Sequence, residues 1–406
     1  MSEPVLGFND ALALVLEHAA AIHPPEMEVV DLPSSRGRVL AEAILADRDQ
    51  PPFDRSTRDG FAVRAAELNS SPLRVVGTLG AGEPWWGDSL ALGEALEIMT
   101  GAGVPVGLDA VVMVEHVEQA GGSIRLLEGR ALRVGENILP RGSEARAGQI
   151  VLPAGTTMAA AEIALAAACG QAHLQVFVRP QVAIVATGDE LVEIHESPQP
   201  QQIRNSNSYA LASLAEAAGG IARCSPIVPD RRDALHQAID EARASDLLVL
   251  SGGVSMGRYD LVEEVLRDLG AEFFFTGVRM QPGRPLVFGR LPATAQFPAL
   301  YFFGLPGNPV SSQVTFRAFV ETMLRALSGA GASRPQFVQA TLGADVPAKP
   351  ELTRLLPARL EGTEVTLIRW QGSGDLAANA QGNCYALLPA RPEGFSAGEV
   401  IRILLR

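Results

Sequence analysis

The stretch "DLLVLSGGVSMGRYDLVEEVLRDLG", Asp246 to Gly270, decides how the fold is read. A short apolar run ends on two glycines, and an amphipathic acidic segment follows soon after, which is the pattern of strand, loop and helix. The pattern recurs on both sides. Upstream, "QVAIVAT" (Gln181–Thr187) precedes the helical "SNSYALASLAEAAGG" (Ser206–Gly220), and "IARCSPIV" (Ile221–Val228) precedes "RDALHQAIDEARA" (Arg232–Ala244). Downstream come the apolar runs "EFFFTGVRM", "PLVFG" and "ALYFFG", then a long helical segment from Pro309 to about Gly329. Strands alternating with helices predict a parallel, doubly wound α/β domain over 179–329.

The flanks differ in texture. Residues 47–146 hold short apolar runs, "LRVVGTL", "AVVMVEHVE" and "SIRLLE", separated by Gly, Pro and Asp, as in a mainly β domain. Helical patterns on either side of it, 1–46 and 147–178, suggest one discontinuous helical domain with the β domain inserted. The first helix is expected to cap near Asn9 or Asp10, and Leu40, Ile44 and Leu45 are expected to form a helix stripe. From 330 to 406, "QFVQATLGADV", "TRLLPARL", "EVTLIRW" and "YALLPA" predict a small C-terminal β domain. The expected fold class is thus multidomain α/β and β. No internal repeat or low-complexity tract interrupts it.

Composition limits the functions. With 47% hydrophobic and 19% charged residues and a formal net charge of -13, the chain reads as a soluble globular protein, and at 406 residues it should bury several cores. Nucleic acid is excluded as a partner, because phosphates need clustered Lys and Arg; "DRRD" at Asp230–Asp233 is neutralised by its own flanks. Three widely spaced cysteines, Cys169, Cys224 and Cys384, argue for buried free thiols and a reducing cytoplasm, not for disulfides or zinc. The start of the sequence lacks a signal-peptide pattern, and the most apolar long stretch carries Glu162, so neither export nor a membrane span is expected. The six scattered histidines form no ligand pair.

In an open α/β sheet, ligands bind beyond the carboxyl ends of the strands. Three loops fall there: "TGDEL" (Thr187–Leu191), "SGGVSMGRYD" (Ser251–Asp260) and "GLPGNPVSS" (Gly304–Ser312). Glycines let backbone N–H groups approach a phosphate, but Asp189, Glu190, Asp230 and Asp260 nearby would repel a bare anion. A divalent cation held by Glu190 and Asp260 would resolve that conflict, bridging carboxylates to phosphate oxygens. Helix capping accounts equally well for Asp230 and fully for Asn308. Arg279 and Arg284, in "RMQPGRPLVFG", are suited to clamp an oxyanion. In the β segment, "PPFDRSTRDGFAV" and "EIMTGAGVP" contribute Asp54, Ser56, Asp59 and Thr100, which solvated turns would also explain.

Taken in order, "FDRSTRDGFAV", "IMTGAGVP", "VAIVATGDELV", "IRNSNSYAL", "LSGGVSMGRYD", "QPGRPLVFG" and "GLPGNPVSS" resemble the MoeA-type molybdopterin molybdenumtransferase family, which is similar to the gephyrin E domain. The resemblance covers essentially the whole chain. It implies a homodimer with an active cleft to which the inserted domain of one subunit and the α/β domain of the other contribute. It also implies insertion of molybdenum from molybdate into adenylylated molybdopterin, with Mg2+ present and AMP released. By motif, Asp59, Thr100, Glu190, Asp230 and Asp260 fall at catalytic positions, the last three holding the metal. Thr187, Gly188, Ser251, Gly252, Gly253, Ser255, Arg284, Pro306 and Asn308 fall at substrate-binding positions, with Arg354 and Ser373 further along. Contact with the molybdopterin adenylyltransferase is a further expectation.

Two departures stand out. Where the family commonly reads Lys-Pro-Gly-Lys-Pro, the chain has Gln281-Pro282-Gly283-Arg284-Pro285, so one cation is lost; Arg55 or Arg58 would restore the charge. In "RGSEARAG" the family often has Glu-Asp directly after the glycine; here Ser143 follows it, and Glu144 is the counterpart of the acidic position. Two other activities fit part of the pattern: a molybdopterin adenylyltransferase, whose fold the α/β domain resembles, and a noncatalytic cofactor carrier or scaffold.

Overall fold

The unbroken apolar run of Gln181–Ala186 has no polar face, so its strand must be covered on both sides. In the computed structural model, which describes residues 5–23, 25–253 and 261–406, it lies inside a six-stranded sheet. The strand order is Ile221–Cys224, Gln181–Ala186, Leu247–Ser251, Leu300–Leu305, Val287–Leu291, Glu272–Phe275. Side chains alternate across a strand. Val182, Ile184, Leu247, Val249, Phe303 and Leu305 accordingly enter one core, and Ala183, Val185, Leu248, Leu250 and Phe302 enter another on the opposite face. Helices Asn207–Ala217 and Pro309–Leu327 cover the first core, with Phe8–Ala20 packed among them. Helices Arg232–Ala242 and Leu261–Asp268 cover the second.

The sheet is mixed, where an all-parallel one was expected. The first four strands are parallel, but Val287–Leu291 runs antiparallel to Leu300–Leu305, and Glu272–Phe275 antiparallel to Val287–Leu291. The connection from Leu291 to Leu300 holds no helix, and a parallel crossover needs about a dozen residues or more. The same sequence run, "EFFFTGVRM", is divided three ways: Gly277–Val278 pairs with Val5–Leu6, and Met280–Gln281 pairs with Thr353–Arg354 of the C-terminal sheet. In that sheet Thr353–Glu361, Glu364–Leu367, Phe337–Leu342, Val400–Leu405 and Cys384–Leu388 pair in a closed ring around their own core.

By packing, the described residues form two compact units: 1–41, 155–158 and 174–406 in one, and 42–154 and 159–173 in the other. The second unit is built on a six-stranded sheet, in the order Ala110–Met113, Gly60–Val63, Glu94–Ile98, Leu73–Leu79, Ser123–Leu126, Val117–Ala120. Gly60 is obligatory there, since a Cβ would stand 1.9 Å from the Val112 carbonyl oxygen.

Three local expectations are corrected. Leu40, Ile44 and Leu45 form no helix stripe: Ile44–Leu45 is a strand paired with Ile150–Leu152, and Leu40 bridges Val176. Gly37, at φ +75°, turns the chain before them, and distant backbone partners outcompete the local helical pattern. The first helix starts at Phe8 with Gly7, not Asn9 or Asp10, at its N-cap. Cys169 and Cys384 are buried free thiols, and burial pushes the Cys384 thiol up to about 11, but Cys224 is exposed. No described helix is long and apolar enough to cross a membrane.

Leu12, 2% exposed, ties the first helix into the sheet's core. Leu12→Ala is expected to cost about 2–5 kcal/mol of stability, read as a lowered denaturant midpoint with the far-ultraviolet spectrum retained.

Candidate functional site

The site begins with register. Ala186 is the cross-strand partner of Ser251, and Ser251 of Leu305, so three strands end side by side and their loops open in one place. Thr187, Gly188 and Glu190 come from the first loop, Ser251, Gly252 and Gly253 from the second, and Pro306, Gly307 and Asn308 from the third. Together with Asp230, Asn207, Pro285 and Leu376 they line a cavity of about 580 Å³.

The glycines are needed for close approach. Gly252 has φ +92°, and a Cβ on it would meet the Thr187 carbonyl oxygen at 2.3 Å. A Cβ on Gly253, at φ +62°, would meet Val262 at 2.5 Å. Both conformations are ones that other residues rarely adopt. Backbone contact between loops completes the frame, with the Thr187 N–H donating to the Ser251 carbonyl at 3.1 Å and the Gly252 N–H to the Leu305 carbonyl at 3.3 Å.

Polar side chains then set the directions of the donors. Asn207 Nδ2 donates to Ser251 Oγ and to the Gly307 carbonyl, each at 2.8 Å. Ser251 Oγ accepts that bond, and among the described residues its own proton has no acceptor. The buried Thr187 hydroxyl donates to Asp230 Oδ1 at 2.5 Å. Asp189 is used structurally, its Oδ1 accepting from the Asp230 N–H at 3.1 Å. Asp230 is therefore a positioned carboxylate and not a helix cap; Arg231 holds the N-cap of the next helix. Asn308 is at the N-cap of the helix from Pro309, but its side chain makes no capping bond. Among the described residues no three acidic, histidine or cysteine side chains gather as a metal-holding group. Glu190 and Asp230 supply oxygen donors in the one cavity.

Other expected residues lie elsewhere. Ser255 and Asp260 fall outside the described residues. Arg284 is exposed in its turn and, like Arg354 and Ser373, is not part of the cavity lining. Arg354 is 5% exposed, is the strand partner of Gln281, and donates to the Pro347 carbonyl at 2.7 Å; burial pulls its pKa below the ordinary guanidinium value. The Ser373 carbonyl accepts from the Val310 N–H.

Asp59 and Thr100 belong to the other unit, where the structure brings them together. Gly60 pairs with Ile98, so the residue before one strand meets the residues after the other. Asp59 Oδ1 accepts from the Thr100 N–H at 2.6 Å and from its hydroxyl at 2.8 Å. These two bonds, the backbone one foremost, hold the Asp59 carboxyl below its ordinary pKa. In the same unit Arg55 lies 3.6 Å from Glu144, and Arg58 turns back on the Thr57 carbonyl.

Two further residues were not singled out from sequence. Asn207 could have been found from "NSNS", a run of short polar residues where a helix begins at a strand end. Lys349 could have been found by counting, since it is the only lysine in the sequence. Its Nζ donates to Gln281 Oε1 at 2.8 Å, which places an ammonium against the position where the expected cation is lost.

Comparison with known proteins follows the same architecture. The family profile described as "MoeA N-terminal region (domain I and II)" matches residues 6–170, "Probable molybdopterin binding domain" matches 183–326, and "MoeA C-terminal region (domain IV)" matches 339–405. Molybdopterin molybdenumtransferase of Nostoc sp. is 36% identical over 394 residues, covering 93% of this chain and 88% of that protein. The Staphylococcus aureus enzyme of the same name is 33% identical over 390 residues, covering 93% and 90%. A crystal structure of the molybdopterin biosynthesis moeA protein from Pyrococcus horikoshii superposes with a TM-score of 0.83 at 28% identity, covering 99% of this chain and 100% of that one. Matched along nearly its full length in sequence, and in fold, this chain belongs to the MoeA family of molybdopterin molybdenumtransferases, proteins of molybdenum cofactor biosynthesis.

Proposed function

We propose that the chain is the transferase itself: it binds adenylylated molybdopterin and molybdate, inserts molybdenum at the dithiolene, and releases AMP. The observation that carries the reading is the single cavity in which glycine backbone, hydroxyl donors and two carboxylates converge. At about 580 Å³ it is in the range of roughly 300–1,000 Å³ that small-molecule sites occupy. In this reading Gly252 and Gly253 let the backbone approach a phosphate, and the free Ser251 proton donates to a phosphate oxygen. Asn207 keeps that hydroxyl oriented. A donor fixed before the ligand arrives needs no reorganisation when charge builds up.

Glu190 and Asp230 are the residues of the described set that would hold magnesium. The donor chemistry fits, because magnesium takes oxygen ligands and commonly uses one or two carboxylates plus substrate phosphates. When bound, the ion supplies positive charge that neutralises phosphate and carboxylate together. Thr187 fixes one oxygen of Asp230, and the other has no hydrogen-bond partner among the described residues. Outside the cavity lining, Lys349 at Gln281, with Arg284 three residues on, supplies cations for an oxyanion in place of the one lost at Gln281. A homodimer and transient contact with the adenylyltransferase that makes the substrate complete the reading. The competing activities differ in turnover: an adenylyltransferase would consume nucleotide triphosphate, and a carrier would bind without releasing AMP.

Purified protein is expected to release AMP from adenylylated molybdopterin only when molybdate and magnesium are both supplied; binding without AMP release would overturn the reading. Asp230→Asn retains an oxygen that can accept from Thr187 but removes the charge, so turnover should fall at least about tenfold and the magnesium requirement should rise, with circular dichroism unchanged. Lys349→Met should raise the molybdate concentration needed for half-maximal turnover several-fold while sparing kcat. Thr100→Val removes the smaller of the two bonds that depress Asp59, so its carboxyl should titrate at higher pH by carbon NMR, though still below the ordinary range. The sign of the accompanying stability effect follows: the contribution of a depressed carboxyl is present above its unfolded pKa and is lost as pH falls through the folded value, so acid should destabilise the wild type through Asp59 more than the variant.

A further inference from the structure

Further along the chain than the strand-end loops, the helix that follows Pro309 changes character. Phe316–Val320 is π-helical and passes directly into the α-helix Glu321–Leu327. Short π segments inside α-helices are rare and collect at functional places. Beside this one lies a second cavity, about 140 Å³, lined by Arg317, Glu321, Thr322 and Arg325 of the helix and by Ser333 and Arg334 of the segment after it.

Its charge is lopsided. Three guanidiniums face one carboxylate, and Glu321 is already engaged by Arg317 Nη1 at 2.7 Å. Arg317 Nη2 donates to the Leu405 carbonyl at 2.6 Å, yet Arg317 Nε is buried with no acceptor among the described residues. Among the described residues Arg325 spends only Nε, on Ser333 Oγ at 3.1 Å. Thr322 is 1% exposed and its Oγ1 also has no partner among the described residues, although a helical threonine ordinarily returns its hydroxyl to a carbonyl one turn back. Buried polar atoms are almost always satisfied, and here two residues that line one cationic cavity each carry an unsatisfied buried atom, so this place is short of hydrogen-bond acceptors.

We propose that this cavity binds a small tetrahedral oxyanion of the phosphate and molybdate kind, at a site separate from the strand-end cavity. Arginine forks suit such an anion, and donors arriving from the helix and from the segment after it ask for acceptor oxygens on several sides. The volume is well below the roughly 300–1,000 Å³ of sites for drug-sized ligands, which suits a small anion better than a nucleotide or a pterin. None of these side chains lines the proposed catalytic cavity, so the inference stands or falls independently of the activity.

The test titrates the intact protein calorimetrically with inorganic phosphate and, in a separate arm, with molybdate. Wild-type protein should bind at least one of them at a site whose affinity falls about tenfold or more in the Arg325→Gln, Arg334→Gln double variant, with AMP release unchanged. The arm that shows the loss tells whether phosphate or the molybdenum cargo is the ligand. Arg334 is exposed, so Arg334→Gln alone keeps the fold and should weaken the same site several-fold. Identical affinity and stoichiometry for both anions in wild type and the double variant would overturn the proposal. So would crystals soaked separately in phosphate and in molybdate that both show only water in the cavity.

Discussion

The register that sets Ala186, Ser251 and Leu305 side by side is the constraint on which the site depends. It is a property of backbone pairing, fixed by hydrogen bonds between parallel strands, and it is protected by the two cores that alternate side chains fill. A slip by one residue would exchange those cores and move every side chain to the other face. The loops can therefore vary in composition, carrying glycine, acid or proline, without losing their common exit.

On that frame the polar groups act through one another. Asn207 turns Ser251 into a donor, Thr187 fixes Asp230, and the Asp230 N–H is held by Asp189. Asp59 and Thr100 follow the same logic beside antiparallel strand pairs, where Gly60 permits an approach that any side chain would block. In each case a close backbone contact places two polar groups, and the resulting bond fixes an oxygen or a proton in direction.

Much of this could be read in the sequence because it rests on local pattern. The unbroken run "VAIVA" announced a strand covered on both faces, and glycines directly after "LLVLS" announced a close approach. What the sequence concealed depends on distant pairing. Leu40 and Ile44 have helical spacing, but their backbone partners lie at Val176 and Leu152. Val287–Leu291 looks like any buried strand, and only the absence of a crossover helix reverses it. Asp230 has the position of a cap and the partner of a site residue, a distinction that rests on the Thr187 rotamer. Lys349 is far along the chain from Gln281 and joins it because Met280–Gln281 crosses into the C-terminal sheet beside Thr353–Arg354.

That crossing also gives the molecule an unusual chemical address. With arginine at every other basic Lys or Arg position, amine-directed reagents meet a single side-chain target in the whole sequence, and it stands against Gln281. A fluorophore or spin label carried on that amine would report on one defined place where the C-terminal sheet takes in a strand from the preceding domain, with no engineered cysteine required.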